Sequence, residues 1–250
     1  MVTISEELTV EKFSLLGIDI TSSTMKDAVN ILDQNIADNK QCHVITANPE
    51  IVMMACKDDD FKDILQSAEF VFADGTGVVW AGRRKGFSVP ERVTGFDLTQ
   101  QLLKLADQKN YSVFFFGAAD GVAQKALDNI AEKHQNINFS GCRHGFFCDA
   151  DNDEIIDQIN AAAPDILLVA LGAPKQEKWV HENRKSLQAK VILCIGGSFD
   201  VMAGNISRAP AFIQKLGLEW LYRALKQPSR IGRLAAIPHF VLKVLFDKHK

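Results

Sequence analysis

The stretch EFVFADGTGVVWAGRRKGFSVPERVTGFD, residues 69–97, decides how the chain reads. Phe70, Val71, Phe72 and Ala73 form a short apolar run of the kind that makes a buried strand. Asp74 follows at once, then Gly75 and Gly77. In a parallel α/β sheet the carboxyl ends of the strands open onto the ligand crevice. An aspartate there can face a ligand, and glycines let another molecule approach the backbone. Arg92 follows on a loop, ahead of a helix expected to start near Gly95. A carboxylate and a guanidinium on adjacent loops suit proton abstraction beside a bound anion. Asp74 with Gly75 reads equally well as a simple turn, so the segment alone leaves both readings open.

The same alternation extends outward. Upstream, residues 13–20 read as one first strand, and Ser23 or Thr24 can cap a helix over residues 25–38. CHVITA, residues 42–47, is a buried strand that ends in Thr46, Asn48 and Pro49, with Pro49 suited to open the next helix. A helix pair is expected over residues 50–67. Downstream come a helix over 96–109 and the strand YSVFFF at 111–116. The glycine loop 117–121 then leads into a helix, a layout that can set backbone N–H groups against a phosphate. No GxGxxG is present, and a tight turn explains Gly117 as readily. A short strand at 138–142, a helix at 151–162, the strand PDILLVAL at 164–171 and another at 190–195 complete the body. Four strands thus finish in loops that offer Asn48, Asp74, Gln176 and Asp200. Strands alternating with helices predict an α/β fold, a Rossmann-like parallel sheet flanked by helices.

After Gly204 the composition shifts. Nine Lys/Arg stand against Glu219 and Asp247, a surplus of seven, which leaves the first 204 residues at −10 given the chain's −3. Residues 209–226 read as one helix broken at Pro228. Ile237, Phe240, Val241, Val244 and Leu245 make a second amphipathic stripe. The expected division is an α/β catalytic domain over 1–204 and a basic, amphipathic, membrane-associating helical appendage over 205–250. Apolar residues dipping into lipid while arginines meet phosphates would give the two signals that stable attachment needs. A solvated basic face on a packed helix is the plainer alternative. Deleting the tail after Asn205 is expected to leave the body folded.

Composition excludes several classes. Apolar content of 47% and charged content of 24% are ordinary for a globular protein. No apolar run is long enough to span a bilayer, and MVTISEELTVEKF carries no signal-peptide core. Five cysteines with no CxxC pair suit reduced thiols in a cytoplasmic protein. Two DxD runs, at 58–60 and 149–153, sit where helices begin, where acids favour the helix dipole anyway. Cys142, His144 and Cys148 lack an evident fourth ligand. No metal and no cofactor are therefore expected. A nucleotide-dependent oxidoreductase and a non-enzymatic membrane or nucleic-acid adaptor compete as readings. The first would need the missing glycine fingerprint, and the second would be indifferent to loss of Asp74.

Five motifs, taken together, carry a resemblance: ITANPEIV at 45–52, ADGTGVVWAGR at 73–83, PERVTGFDL at 90–98, LGAPKQEKW at 171–179 and GGSFDVMAGNISRAP at 196–210. In order and spacing they resemble the WecG/TagA/CpsF family of bacterial glycosyltransferases, from about residue 13 to about residue 246. The likeness is closest to the TagA type, the N-acetylmannosaminyltransferases of wall teichoic acid synthesis. The resemblance implies an inverting, metal-independent transfer of N-acetylmannosamine from a UDP donor to undecaprenyl-diphospho-GlcNAc, forming a β-1,4 linkage. UDP-N-acetylmannosaminuronic acid or another UDP-hexose is the alternative donor within the family. It implies Asp74 as general base, Thr46, Asn48, Arg92 and Gln176 in the substrate pocket, and Asp200 near the uridine, with Gly117 a candidate for the nucleotide phosphates. More loosely it implies Arg223, Arg230 and Arg233 at the lipid diphosphate. The expected partners are these two substrates and the inner face of the cytoplasmic membrane, with no nucleic acid; self-association is left open.

Overall fold

A computed structural model describes residues 11–226 and 236–247. Eight strands form one sheet in the order β1-β2-β4-β3-β8-β7-β5-β6. Its middle is β4 (Phe70–Ala73), β3 (Cys42–Ala47), β8 (Val191–Cys194), β7 (Ile166–Ala170) and β5 (Ser112–Gly117), all parallel. β6 (Asn138–Arg143) adds a parallel edge to β5. The other edge differs from expectation. Residues 13–20 are not one strand but an antiparallel hairpin, β1 (Lys12–Leu15) and β2 (Ile18–Thr21). Leu16 and Gly17 both take positive φ, 54° and 79°, which is the backbone a two-residue hairpin turn demands.

Alternation along the strands sends neighbouring side chains to opposite faces. Val44, Phe72, Phe115, Leu168 and Leu193 pack on one face. There they meet α1 (Met25–Ala37), α5 (Gly95–Lys109), α6 (Val122–Ala131) and α9 (Ser198–Met202). Ile45 and Val71 turn to the other face, under α2 (Pro49–Ala55), α3 (Asp59–Ser67) and α4 (Thr76–Arg84). Phe114, Phe116, Leu167 and Val169 continue that face beneath α7 (Asn152–Ala161) and α8 (Lys175–Asn183). Every residue of β3, β5, β7 and β8 is buried, as strands covered on both faces must be.

Three helices were hidden inside stretches that read as loops: α4 straight after Asp74, α8 in the GAPKQE stretch, and α9 in GGSFD. Each is short, and its glycine or proline neighbours mask a helical period. The tail also departs from expectation. Residues 209–226 hold two helices, α10 (Ala211–Lys215) and α11 (Glu219–Lys226), parted at Gly217 with φ 72°. The last helix, α12 (Ala236–Phe246), lies on α2 and α4. Its Phe240 and Val244 join the cluster of Ile51, Val52 and Val78 and are 0% and 4% exposed. Deleting the tail would uncover this part of the core, which the reading of the tail as an appendage did not anticipate.

Candidate active site

The strand order explains why one row of loops holds the candidate residues. β4, β3, β8, β7 and β5 are consecutive neighbours, and their carboxyl ends lead to Asp74, to Thr46 and Asn48, to Asp200, to Gln176 and to Gly117 respectively. A crevice beyond the carboxyl ends of parallel strands is where open α/β sheets take ligands.

Asp74 sits at the β4 end, half-buried. Its backbone N–H donates to the Ala47 carbonyl at 2.9 Å, and Val93 N–H donates to the Ala73 carbonyl at 2.9 Å. These two bonds clamp the strand end between neighbouring loops. The carboxylate Oδ2 accepts a long bond, 3.4 Å, from Gly95 N–H in the first turn of α5. A negative charge at a helix N-terminus is attracted by the helix dipole. Gly95 itself is pressed on Thr46: a Cβ there would lie 2.8 Å from Thr46 Oγ1. Gly77 is pressed on Pro49, where a Cβ would come within 2.7 Å of Cγ. Both glycines permit close approach between the loops of β3 and β4, and so bring Thr46, Asn48 and Asp74 together. Asn48 caps α2, its Oδ1 accepting from Ile51 N–H at 3.0 Å, which leaves its amide N–H₂ for other partners.

Arg92 lies beside this group but is not alone. Its guanidinium is 3.7 Å from Glu219 of α11, and Glu219 also receives Arg208 at 3.5 Å. Arg208 stacks over Phe96 at 4.7 Å and grips Asp97 with two bonds of 2.6 and 2.8 Å. Burial pushes the Asp97 carboxyl up, but the Arg208 and Thr94 hydrogen bonds outweigh it and hold it below the usual range. The chain Asp97, Arg208, Glu219 and Arg92 ties the tail to the pocket loop. Sequence reading missed three of these four; Asp97 and Arg208 lie inside quoted motifs, and that was the available signal.

Gln176 is 4% exposed, and both ends of its amide are engaged. Oε1 accepts from Gly196 N–H at 3.0 Å, and Nε2 donates to Glu177 Oε1 at 2.7 Å. Glu177 is fully buried, which pushes its carboxyl up to about 7 even though the Gln176 bond opposes the shift. His43 and Cys194 are buried close by, with Cys194 Sγ 3.4 Å from His43 Nε2. Burial lowers His43 to about 3, so the imidazole is neutral. Asp200 is half-buried in the short α9, where its carbonyl accepts from Asn205 and Ile206.

Gly117 has a plain packing reason: a Cβ there would meet the Ala170 carbonyl oxygen at 2.4 Å. Beyond it, α6 starts at Gly121 with no side-chain cap, beside a cavity of about 450 Å³ that Asp120, Gln124, Arg143 and His144 help to line. Arg223 falls within α11, while Arg230 and Arg233 lie outside the described residues. The acids of the first DxD run are in use at a helix start: Asp58 caps α3 and pairs with Lys178 at 3.1 Å. Among the described residues no group of three or more His, Cys, Asp or Glu could hold a metal ion.

Residues 13–250 match the glycosyl transferase family WecG/TagA/CpsF. The chain belongs to this family. A relative from Bacillus spizizenii is 38% identical over 234 residues, covering 93% of this chain and 90% of the relative. One from Staphylococcus aureus is 34% identical over 250 residues, covering 99% and 98%. Both carry the name N-acetylglucosaminyldiphosphoundecaprenol N-acetyl-beta-D-mannosaminyltransferase. Membership explains why the five motifs meet in space: four of them end on the same row of strand ends, and PERVTGFDL bridges from Asp74 to α5.

Proposed function

We propose that this chain transfers N-acetylmannosamine from a UDP donor to undecaprenyl-diphospho-GlcNAc, an early step of wall teichoic acid or related surface polymer synthesis. The family and the full-length likeness to two transferases of that name support it. The observation that carries the mechanism is Asp74, half-buried at the end of β4 and facing the first turn of α5.

In this reading Asp74 takes the proton from the acceptor 4-hydroxyl as that oxygen attacks the anomeric carbon. The bond to the UDP β-phosphate oxygen breaks, and configuration inverts. One carboxylate suffices for a direct displacement, unlike the acid and base pair of glycoside hydrolysis. Thr46 and Asn48, adjoining Asp74, orient the sugars, and Gln176 holds the neighbouring wall. Charge that builds on the leaving diphosphate calls for guanidinium and backbone N–H donors. Arg92 serves there, with Gly117 and the uncapped start of α6 on the nucleotide phosphates and Asp200 near the uridine. Arg223, Arg230 and Arg233 take the lipid diphosphate.

The body over 1–204 performs the chemistry and the tail over 205–250 meets the inner face of the cytoplasmic membrane. No helix among the described residues is long and apolar enough to cross a bilayer. The tail instead exposes Phe212, Leu216, Leu225 and Phe246, at 64–77% each. Exposed apolar residues on short helices with basic neighbours suit an interfacial attachment.

The test offers a panel of UDP-sugars and a lipid-diphosphate-GlcNAc analogue and follows UDP release by wild type and Asp74→Asn. Release with UDP-ManNAc that requires both the acceptor and Asp74 supports the proposal. Release that Asp74→Asn leaves unchanged overturns the mechanism, and a preference for UDP-ManNAcA overturns the donor.

A further inference from the structure

We infer that Glu177 is a positioning residue of the active site: through Gln176 it holds the loop that follows β8 in its working shape. This rests on the transferase reading only for its kinetic test; the geometry stands apart from it.

A primary amide has two ends of similar shape, and packing alone seldom decides which one points where. Two neighbours set it here. Gly196 N–H can only donate, so it takes the Oε1 end of Gln176 at 3.0 Å, and Glu177 Oε1 accepts from the Nε2 end at 2.7 Å. Gly196 has φ 53°, and a Cβ built on it would meet nothing within 4 Å, so it borders open space on the crevice side. The relay therefore runs from a carboxylate with no exposure, through an amide 4% exposed, to the backbone at the mouth. That backbone leads directly into Ser198, Phe199 and Asp200 in α9.

Burial makes this an expensive way to hold a loop. The second carboxylate oxygen, Oε2, is buried with no hydrogen-bond partner. Its near neighbour Cys194 is a buried thiol whose hydrogen-bond partner is His43, a neutral imidazole. An unpaired buried carboxylate oxygen is destabilising, and fold stability alone would be served better by an apolar side chain. A residue that weakens the fold while fixing a crevice loop fits a requirement of the site.

The test uses the full chain with Glu177→Gln, Glu177→Met, Gln176→Ala and the Gln176→Ala/Glu177→Met double variant. Glutamine at 177 still offers an acceptor, whereas methionine fills the space without one. We expect Glu177→Gln to stay within about threefold of wild type, and Glu177→Met to raise the donor KM about tenfold or more with kcat little changed. In the Gln176→Ala background the methionine should add less than about threefold, because its route to the site is already gone. Losses that multiply, or a Glu177→Met defect confined to kcat and melting temperature, would overturn the inference. Hydrogen exchange at the Gly196 amide gives a readout independent of sugar transfer. Protection in wild type and Glu177→Gln, lost in Glu177→Met, supports the relay; equal protection in all three sinks it. Should wild type transfer no sugar at all, the functional reading fails and the exchange result still decides the role of Glu177.

Discussion

Asp74 and Glu177 stand three strands apart along one row of strand ends, and they are opposite kinds of acid. Asp74 is half-exposed, held by the backbone of three loops, with a helix N-terminus before it. Glu177 is sealed behind β3, β8 and α8, bonded through one oxygen and unpaired at the other. Both lie in family motifs, and by letter alone either could serve as the base. The surroundings separate them. A base must be within reach of its substrate, and Asp74 borders the crevice. Glu177 has no path to a ligand, so its chemistry can act only through Gln176.

The sharpest break of this pair is to neutralise each acid at constant shape. Asp74→Asn should lower transfer by about 10³-fold, the range a general base contributes, while the unfolding free energy moves by less than about 0.5 kcal/mol. Initial rates of UDP release and urea unfolding of the same preparations check both halves. If activity survives, or if the fold collapses with it, the contrast with Glu177 disappears.

The two acids also lean on different supports. The Asp74 loop rests on the tail, since a Cβ at Gly77 would lie 3.7 Å from Phe240 and Thr76 Oγ1 reaches the Gly217 carbonyl at 3.4 Å. Phe240→Ala should therefore destabilise the protein by about 3–4 kcal/mol, as loss of a fully buried aromatic does. Equilibrium denaturation would show it, and a change under about 1 kcal/mol would mean that α12 is no part of the core. In contrast, Leu225→Ser on the exposed side of α11 should leave the unfolding midpoint unchanged.

Glu177 gives the next effect, and its sign is fixed by burial. Its folded-state carboxyl sits at about 7, above the ordinary 4.5. Between those values the folded protein keeps a proton that the unfolded chain releases. Stability from this group is thus full below pH 4.5 and is lost as pH rises through 7. A shift of that size corresponds to about 3 kcal/mol. Glu177→Gln removes the titration, so its stability relative to wild type should rise between pH 5 and pH 8. Parallel slopes for the two proteins would show that the carboxylate is solvated after all.

Much of this was legible in the sequence, for identifiable reasons. CHVITA, YSVFFF and PDILLVAL are long apolar runs bounded by polar turns, and each is a central strand. Asp74 was visible because a strand stops on it and glycines follow. The hairpin at Leu16 was not, because a leucine at positive φ sends no turn signal. Helices α4, α8 and α9 were hidden because each holds fewer than three turns, too few for a period to stand out beside glycine and proline. The Arg92–Glu219 and Arg208–Asp97 pairs each join residues more than a hundred positions apart, which no local pattern can report. Glu177 sat in plain view within GAPKQE, but only the fold shows that its side chain turns inward.

Asn48 offers the finest distinction, because it combines features of both acids. Like Asp74 it sits at the crevice mouth, and like Glu177 it has a structural bond, the cap on Ile51 N–H. Asn48→Ala removes the cap and the amide together and should cost about 1 kcal/mol of stability. Asn48→Ser keeps an oxygen for the cap, so stability should stay within about 0.5 kcal/mol of wild type. Its amide N–H₂ is gone, however, and if that group meets the substrate the serine variant should still lose about tenfold in kcat/KM. The informative quantity is the gap between the two variants. Equal activity loss with unequal stability assigns the amide to the pocket beside Asp74. Full activity in the serine variant would instead make Asn48 a cap and nothing more, and would leave Thr46 as the polar side chain from β3 that accompanies the base.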